Sequence, residues 1–372
     1  MTSGRHTAGP PPAPVCRPLA SARTVCGGPA HTGHTPLTSR PGTLTAVDRE
    51  TAGLTAAPVL AHVVRCGAVE GVHRALAVVT AADGGVDRAW GDPTTVIYPR
   101  SANKPLQAVG MVDLGLRLPA PQLALACASH NGEAFHLEAA RATLAGVGLD
   151  ETALRNTPDY PVDETARVEW IRAGHGPASI TQNCSGKHAA MLATCVAHGW
   201  DRDTYLDPDH PLQVAITATI ARLIGHEPAR IAIDGCGAPL HAMPLASLAA
   251  AFGRVAAAAP TTSEGIVADA MRAEPDYLGG TGRGVTELVR RVPGLIAKDA
   301  AESVYAVGLP DGRGIAVKVV DGQSRAKPVI LAAILRELGV GDENLWETIE
   351  FAPVLGHGKA VGAVVATGIR AG

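Results

Sequence analysis

The spacing of apolar positions changes twice along the chain. From Val59 these positions fall in short β-rich runs, Val59–Val64 and Ala75–Thr80, then a turn at Asp83-Gly84-Gly85 and a third run at Thr94–Tyr98. The three runs predict a meander. In the middle of the chain the spacing becomes helical, with Ala134, Leu137, Ala140 and Leu144 on one face and further helices predicted at 187–198, 211–224, 241–257 and 284–292. Strands return at Leu295–Ala297, Val304–Leu309 and Ile315–Val320, and Pro310-Asp311-Gly312 predicts a hairpin between the last two. Residues 1–57 show neither period, are rich in Pro, Gly, Thr, Ala and Ser, and predict a disordered extension ahead of one domain at 58–372. The expected fold class is α/β, of the α+β type: a β-sheet built from N- and C-terminal segments, helices packed on it, and a helical middle region.

Composition narrows the function classes. The 372 residues are 46% hydrophobic and 18% charged with net charge -3, which lacks the basic excess of a nucleic-acid binder. The longest apolar stretch, around Leu245 to Ala259, is broken by Arg254 and falls short of a bilayer span, so no membrane partner is expected. Arg5 is not followed by the apolar core of a secretory signal, and a cytoplasmic location is expected. Seven thinly spread cysteines do not make a disulfide framework. Reduced or metal-bound thiols are expected, with no role for Cys16 and Cys26.

Five clusters carry candidate chemistry. In Ser101-Ala102-Asn103-Lys104 the serine and lysine lie about one helical turn apart, where an amine can take a hydroxyl proton, and Pro105 favours a helix start. The tetrad follows the strand-like run Thr95-Val96-Ile97-Tyr98, and such junctions place a hydroxyl beside free backbone N–H groups. The bland alternative is a capping serine and a surface lysine. Cys127-Ala128-Ser129-His130-Asn131-Gly132-Glu133 offers a second hydroxyl with His130 or Asn131 beside it, or else a capped helix with Glu133 in its first turn. Asn183-Cys184-Ser185-Gly186-Lys187-His188 and Asp234-Gly235-Cys236-Gly237 place cysteines in polar turns. Cys184, Lys187 and Cys236 can bind a zinc-like ion, Cys184 can be a nucleophile activated by His188, or both thiols can simply shape a pocket. Lys298 closes the apolar run Leu295-Ile296-Ala297, either as a buried site lysine or as a strand-end surface charge. Gly279-Gly280-Thr281-Gly282-Arg283-Gly284 lacks the preceding strand and the lysine of a phosphate-binding loop and reads as a glycine-rich loop near a site or hinge.

Taken together and in this order, Arg100-Ser101-Ala102-Asn103-Lys104-Pro105, Cys127-Ala128-Ser129-His130, Asn183-Cys184-Ser185-Gly186-Lys187-His188, Asp234-Gly235-Cys236 and Lys298 resemble the rhizobial-type L-asparaginase II family from about residue 59 to the end. The resemblance implies a fold like the serine β-lactamases and glutaminases, usually as a homodimer. It implies hydrolysis of L-asparagine without an organic cofactor by two Ser-Lys pairs, Ser101 with Lys104 and Ser129 with Lys298; sequence does not fix which serine attacks, and Ser101 is the one favoured here. It also implies zinc at Cys184, Lys187 and Cys236. Arg100 and Asp234 carry charges that complement the α-carboxylate and α-ammonium of asparagine, with His130 and Gly235 completing the substrate site. The alternative for Arg100 and Asp234 is an internal ion pair.

Three rivals remain at this stage. A penicillin-recognising acyl transferase should carry Ser-Asp-Asn and Lys-Thr-Gly, and neither occurs in the chain. A cysteine amidohydrolase would use Cys184 and His188, and a catalytically silent protein of the same fold would bind a metal or ligand without turnover.

Overall fold

The computed structural model describes residues 52–369. Residues 1–51 of the expected disordered extension lie outside the described residues. Within its last residues, Ala52–Thr55 is a helical turn and Ala57 is fully buried. Arg74 Nη1 donates to the Ala57 carbonyl at 2.7 Å, which ties this stretch to the domain.

The N- and C-terminal segments build one antiparallel sheet. Its strands are β1 (Val59–Arg65), β2 (Ala68–Thr80), β3 (Val86–Trp90), β7 (Ile296–Ala300), β8 (Val304–Gly308), β9 (Gly314–Val319), β10 (Pro353–Gly356) and β11 (Lys359–Ala366). They run in the order β10-β11-β1-β2-β9-β8-β7, with β3 paired to β2. Strand β1 sits between the two ends of the chain, with Ala61 opposite Ala366 on one side and His73 on the other. Every residue of β8 and β9 is buried, as expected where a sheet is covered on both faces. Helices Leu245–Ala257 and Lys327–Glu337 both pack on these strands. The predicted hairpin closes through a Leu309 N–H to Arg313 O bond of 2.8 Å.

Two expectations are corrected here. The run Thr94–Tyr98 is not the third strand of the meander. Only β4 (Val96–Ile97) is extended, and it pairs with Met243 and Pro244 of β6 (Pro239–Pro244) in a small sheet that also holds β5 (Arg230–Ile233). The strand that follows β2 and pairs with it is β3, whose Val-Asp-Arg-Ala-Trp sequence is largely solvent-facing and gives little hydrophobic signal. The helix expected at 241–257 begins at Leu245, because residues 241–244 belong to β6 and Pro244 stands at the N-cap with extended backbone.

The helical region packs beside this sheet. Helix Lys104–Asp113 lies against Pro211–Ile224, and Ala120–Ala126 lies against Ser185–His198. Gly186 permits the second contact, since a Cβ there would come within 2.6 Å of the Leu125 carbonyl oxygen. That approach brings the start of helix 185–198 to the loop that follows helix 120–126. Among the described residues no helix is long and apolar enough to cross a membrane.

Candidate active site

The candidate chemistry converges where four elements meet. They are the 3₁₀ turn Arg100–Asn103 leading into helix 104–113, the loop after helix 120–126, the start of helix 185–198, and strand β7. Lys104, 1% exposed, extends from its helix to donate to Ser129 Oγ at 3.1 Å, to the Asn183 carbonyl at 3.5 Å and to the Ala128 carbonyl. The hydrogen bonds therefore join Lys104 to Ser129, two elements away, where the sequence reading joined it to Ser101. The local reason is that Arg100–Asn103 is a 3₁₀ turn, and the Lys104 stem runs from it toward the 128–129 backbone. Ser101 is itself buried, and its turn packs against β7, the strand of Lys298.

Lys298 is fully buried and bonds to Asp299 rather than to Ser129, reaching Asp299 Oδ1 at 2.8 Å and the Asp299 carbonyl. Burial, with Lys104 and Arg283 nearby, lowers its pKa from the usual 10.5 to about 8, although Asp299 works in the opposite direction. An appreciable share of neutral amine is then present near physiological pH. Cys127 shares this environment, and burial pushes its thiol up to about 12 despite the Lys298 and Lys104 charges. It stays an inert thiol.

The Ser129 segment is held from both sides by backbone bonds. Ser129 N–H donates to Leu278 O at 3.2 Å, His130 N–H to Asn183 O at 3.2 Å, and Asn131 N–H to Gly279 O at 2.8 Å. His130 is fully buried, with Nε2 2.9 Å from Ser185 Oγ, and burial together with His136 holds its pKa well below the usual histidine value. It is therefore a neutral ring. Glu133 stands at the N-cap of its helix, but its side chain makes no cap bond there. Its carboxylate accepts from Thr281 N–H at 2.9 Å and Thr281 Oγ at 2.8 Å, so it binds the glycine-rich loop. Gly280, at φ +120, is required here, because a Cβ would lie 2.5 Å from Asn131 Nδ2.

Arg100 and Asp234 form an ion pair with each other at 2.7 Å, the alternative left open by the sequence. Glu302 stands 3.8 Å from Arg100 on the other side. Arg100 and Glu302 both adopt left-handed backbone, at φ 51 and 55, which is costly for residues with a Cβ. Gly235 closes this corner, its carbonyl accepting from Thr157 Oγ at 2.9 Å.

The second constellation holds Cys184, Lys187 and Cys236, all nearly fully buried. Lys187 Nζ lies 3.2 Å from Cys236 Sγ. A hydrogen bond from Cys184, together with the Lys187 charge, pulls Cys236 below the usual thiol range in spite of burial. The same bond, with burial, pushes Cys184 well above it. Burial disfavours the Lys187 ammonium, but Cys236, Cys184 and Asp234 more than offset this and raise its pKa. Two sulfurs and an amine suit a soft ion such as zinc, whose binding would release the Cys184 and Lys187 protons. Among the described residues no group of three His, Cys, Asp or Glu could hold a metal, so lysine would have to be the third donor. The five described cysteines are all free.

Sequence reading passed over Arg283 and Asp299 as site residues. Arg283 Nη2 bonds Asp299 Oδ2 at 2.7 Å, and its Nη1 bonds Asn131 Oδ1 at 3.2 Å. The available signals were the single charge in the glycine-rich loop and the acid directly after Lys298.

Among solved structures, the chain is similar to Mglu in its glutamate form, at 14% identity over 72% of this chain and 61% of that chain with TM-score 0.40. It spans less than two thirds of that structure's length. A β-lactamase from Mycobacterium bovis matches at 16% identity over 77% of this chain and 98% of that one, with TM-score 0.41. No curated protein sequence matches. The sequence model of the L-asparaginase II family matches residues 61–366, which takes in all four candidate Ser and Lys residues and both thiols of the Cys184 and Cys236 pair. The chain belongs to the L-asparaginase II family.

Proposed function

We propose that this amidase-type protein is an L-asparaginase that hydrolyses the side-chain amide of L-asparagine to aspartate and ammonia through a seryl acyl-enzyme. The observation that best supports this reading is a buried lysine amine 3.1 Å from a buried serine hydroxyl, with a second buried lysine of depressed pKa in the same site. Ser101 Oγ attacks the amide carbon while its proton passes to a lysine amine. The C–N bond breaks as that proton moves to the departing ammonia. Ser129 and Lys104 carry protons between the hydroxyls, and Lys298, neutral in part near pH 8, is the base. Water then adds to the ester, and aspartate leaves.

Substrate charge is matched by the Arg100–Asp234 pair. A zwitterion can replace that internal pair one charge for one, its carboxylate on Arg100 and its ammonium on Asp234, with Gly235 and His130 beside it. Cys184, Lys187 and Cys236 would hold zinc, which when bound supplies a fixed positive centre that draws the two thiols and the amine together. The cysteine-nucleophile reading is weaker. Cys184 is held as a thiol, and His188 Nδ1 is engaged by the Tyr205 hydroxyl at 2.7 Å. A cytoplasmic homodimer completes the proposal, and light scattering on purified protein tests the dimer.

The experiment is ammonia release from L-asparagine and, separately, L-glutamine by wild type, Ser101→Ala and Ser129→Ala, with zinc assayed on the same samples. Loss of activity in both folded variants with zinc retained supports the Ser-Lys reading. Wild type inactive on both amides, or both variants fully active, overturns it.

A further inference from the structure

The carboxylate of Asp299 stands between two cations on different elements. One oxygen receives Lys298 Nζ at 2.8 Å and the other receives Arg283 Nη2 at 2.7 Å, while the Asp299 backbone carbonyl takes a further bond from the same lysine. Arg283 rises from the glycine-rich loop and passes on to Asn131 Oδ1, two residues after Ser129. Asn131 in turn donates to the Thr281 carbonyl at 3.3 Å and to Glu133 Oε1 at 2.8 Å. An unbroken polar chain thus runs from the Lys298 amine through Asp299, Arg283 and Asn131 to the segment that carries Ser129. A lysine on a flexible four-carbon stem loses its freedom only where two acceptors fix its head, and here both come from one residue.

We propose that Asp299, anchored by Arg283, is a positioning residue that fixes the Lys298 amine and couples it to the glycine-rich loop at 279–284. This rests on the amidase reading above in taking Lys298 as the base. The groups that act on Lys298 are Asp299, Lys104, Arg283 and Cys127, and those acting on Asp299 also include Lys327 and Tyr305. The two partners pull in opposite directions. Removing the Asp299 charge strips Lys298 of its counter-ion, and removing Arg283 strips away a competing cation at that carboxylate.

The test follows the Lys298 side-chain carbon signal against pH in protein labelled with ¹³C-lysine, assigned by its loss in Lys298→Met. It is run beside the pH profile of kcat/KM on L-asparagine. The expected midpoint falls by about one pH unit in Asp299→Asn and rises by a similar amount in Arg283→Gln, with the kinetic limb moving in parallel. Asp299→Glu should return the midpoint toward wild type. If Asp299→Asn does not fold, the upward shift in Arg283→Gln alone decides the matter. Unmoved midpoints, or shifts of one sign in both variants, overturn the positioning role. Midpoints that move while the kinetic limb stays fixed also overturn it. A wild type inactive on amides instead removes the amidase reading, while the resonance shifts still decide the pairing.

Discussion

Two buried lysines in this domain end with pKa values shifted in opposite directions. Lys187 and Lys298 are both almost wholly excluded from solvent, and burial works against the charge of each. Lys187 faces two sulfurs and Asp234, and its pKa is raised. Lys298 has one carboxylate to share with Arg283 and stands near Lys104, and its pKa is lowered to about 8. Depth of burial alone therefore does not make a base. The balance of neighbouring charges decides, and it separates a lysine fit for ion pairing from one fit to move protons.

The largest expected effect that tests this contrast is on turnover. Lys298→Met should lower kcat on L-asparagine by about 10²–10⁴-fold, the range of a lost general base, with the fold intact by circular dichroism. Retained turnover would break the comparison. Cys236→Ala should leave the Lys187 ammonium of the metal-free protein buried without its sulfur partner, at a cost of about 3–5 kcal/mol in chemical denaturation. Unchanged stability would mean that Lys187 sheds its proton as easily as Lys298.

The pH dependence of stability sharpens the same point. Lys298 binds fewer protons folded than unfolded between about 8 and 10.5, so wild type should gain stability over Lys298→Met as pH rises through that window. Lys187, with a raised folded pKa, contributes fully below about 10.5 and should give no such slope against Lys187→Met. Thermal melts from pH 7.5 to 10 check both. The smallest effect concerns the loop. Glu133→Gln should cost about 1–2 kcal/mol by weakening its bonds to Thr281, measured by denaturant titration, while leaving both lysine titrations in place.

The parts of this architecture legible in the sequence were those held by one face of apolar residues. The Val304–Gly308 and Gly314–Val319 hairpin, the helix at 134–145 and the return of strands late in the chain follow from period and turn chemistry. Strand β3 was not legible, because its register is set by β2 while its side chains stay largely in water. The site divides similarly. The residue types and their order on the chain suggested Ser-Lys chemistry, but the Lys104 to Ser129 bond depends on how far one side chain reaches between two elements. Glu133 reads as a helix-terminus acid and stands at that terminus, but its carboxylate holds a loop nearly 150 residues later, a contact that no local window contains.

Strand β1 has a consequence for how the protein is made. Its partner β2 follows it directly in the chain, but the partner of its other edge is β11, with residue 61 opposite residue 366. At about 5–20 residues per second the interval is roughly 15–60 s. Throughout that time the nascent chain presents an unpaired edge carrying Leu60 and Val63. Any chaperone engaged during synthesis of this protein should bind there and be displaced when the last strand arrives.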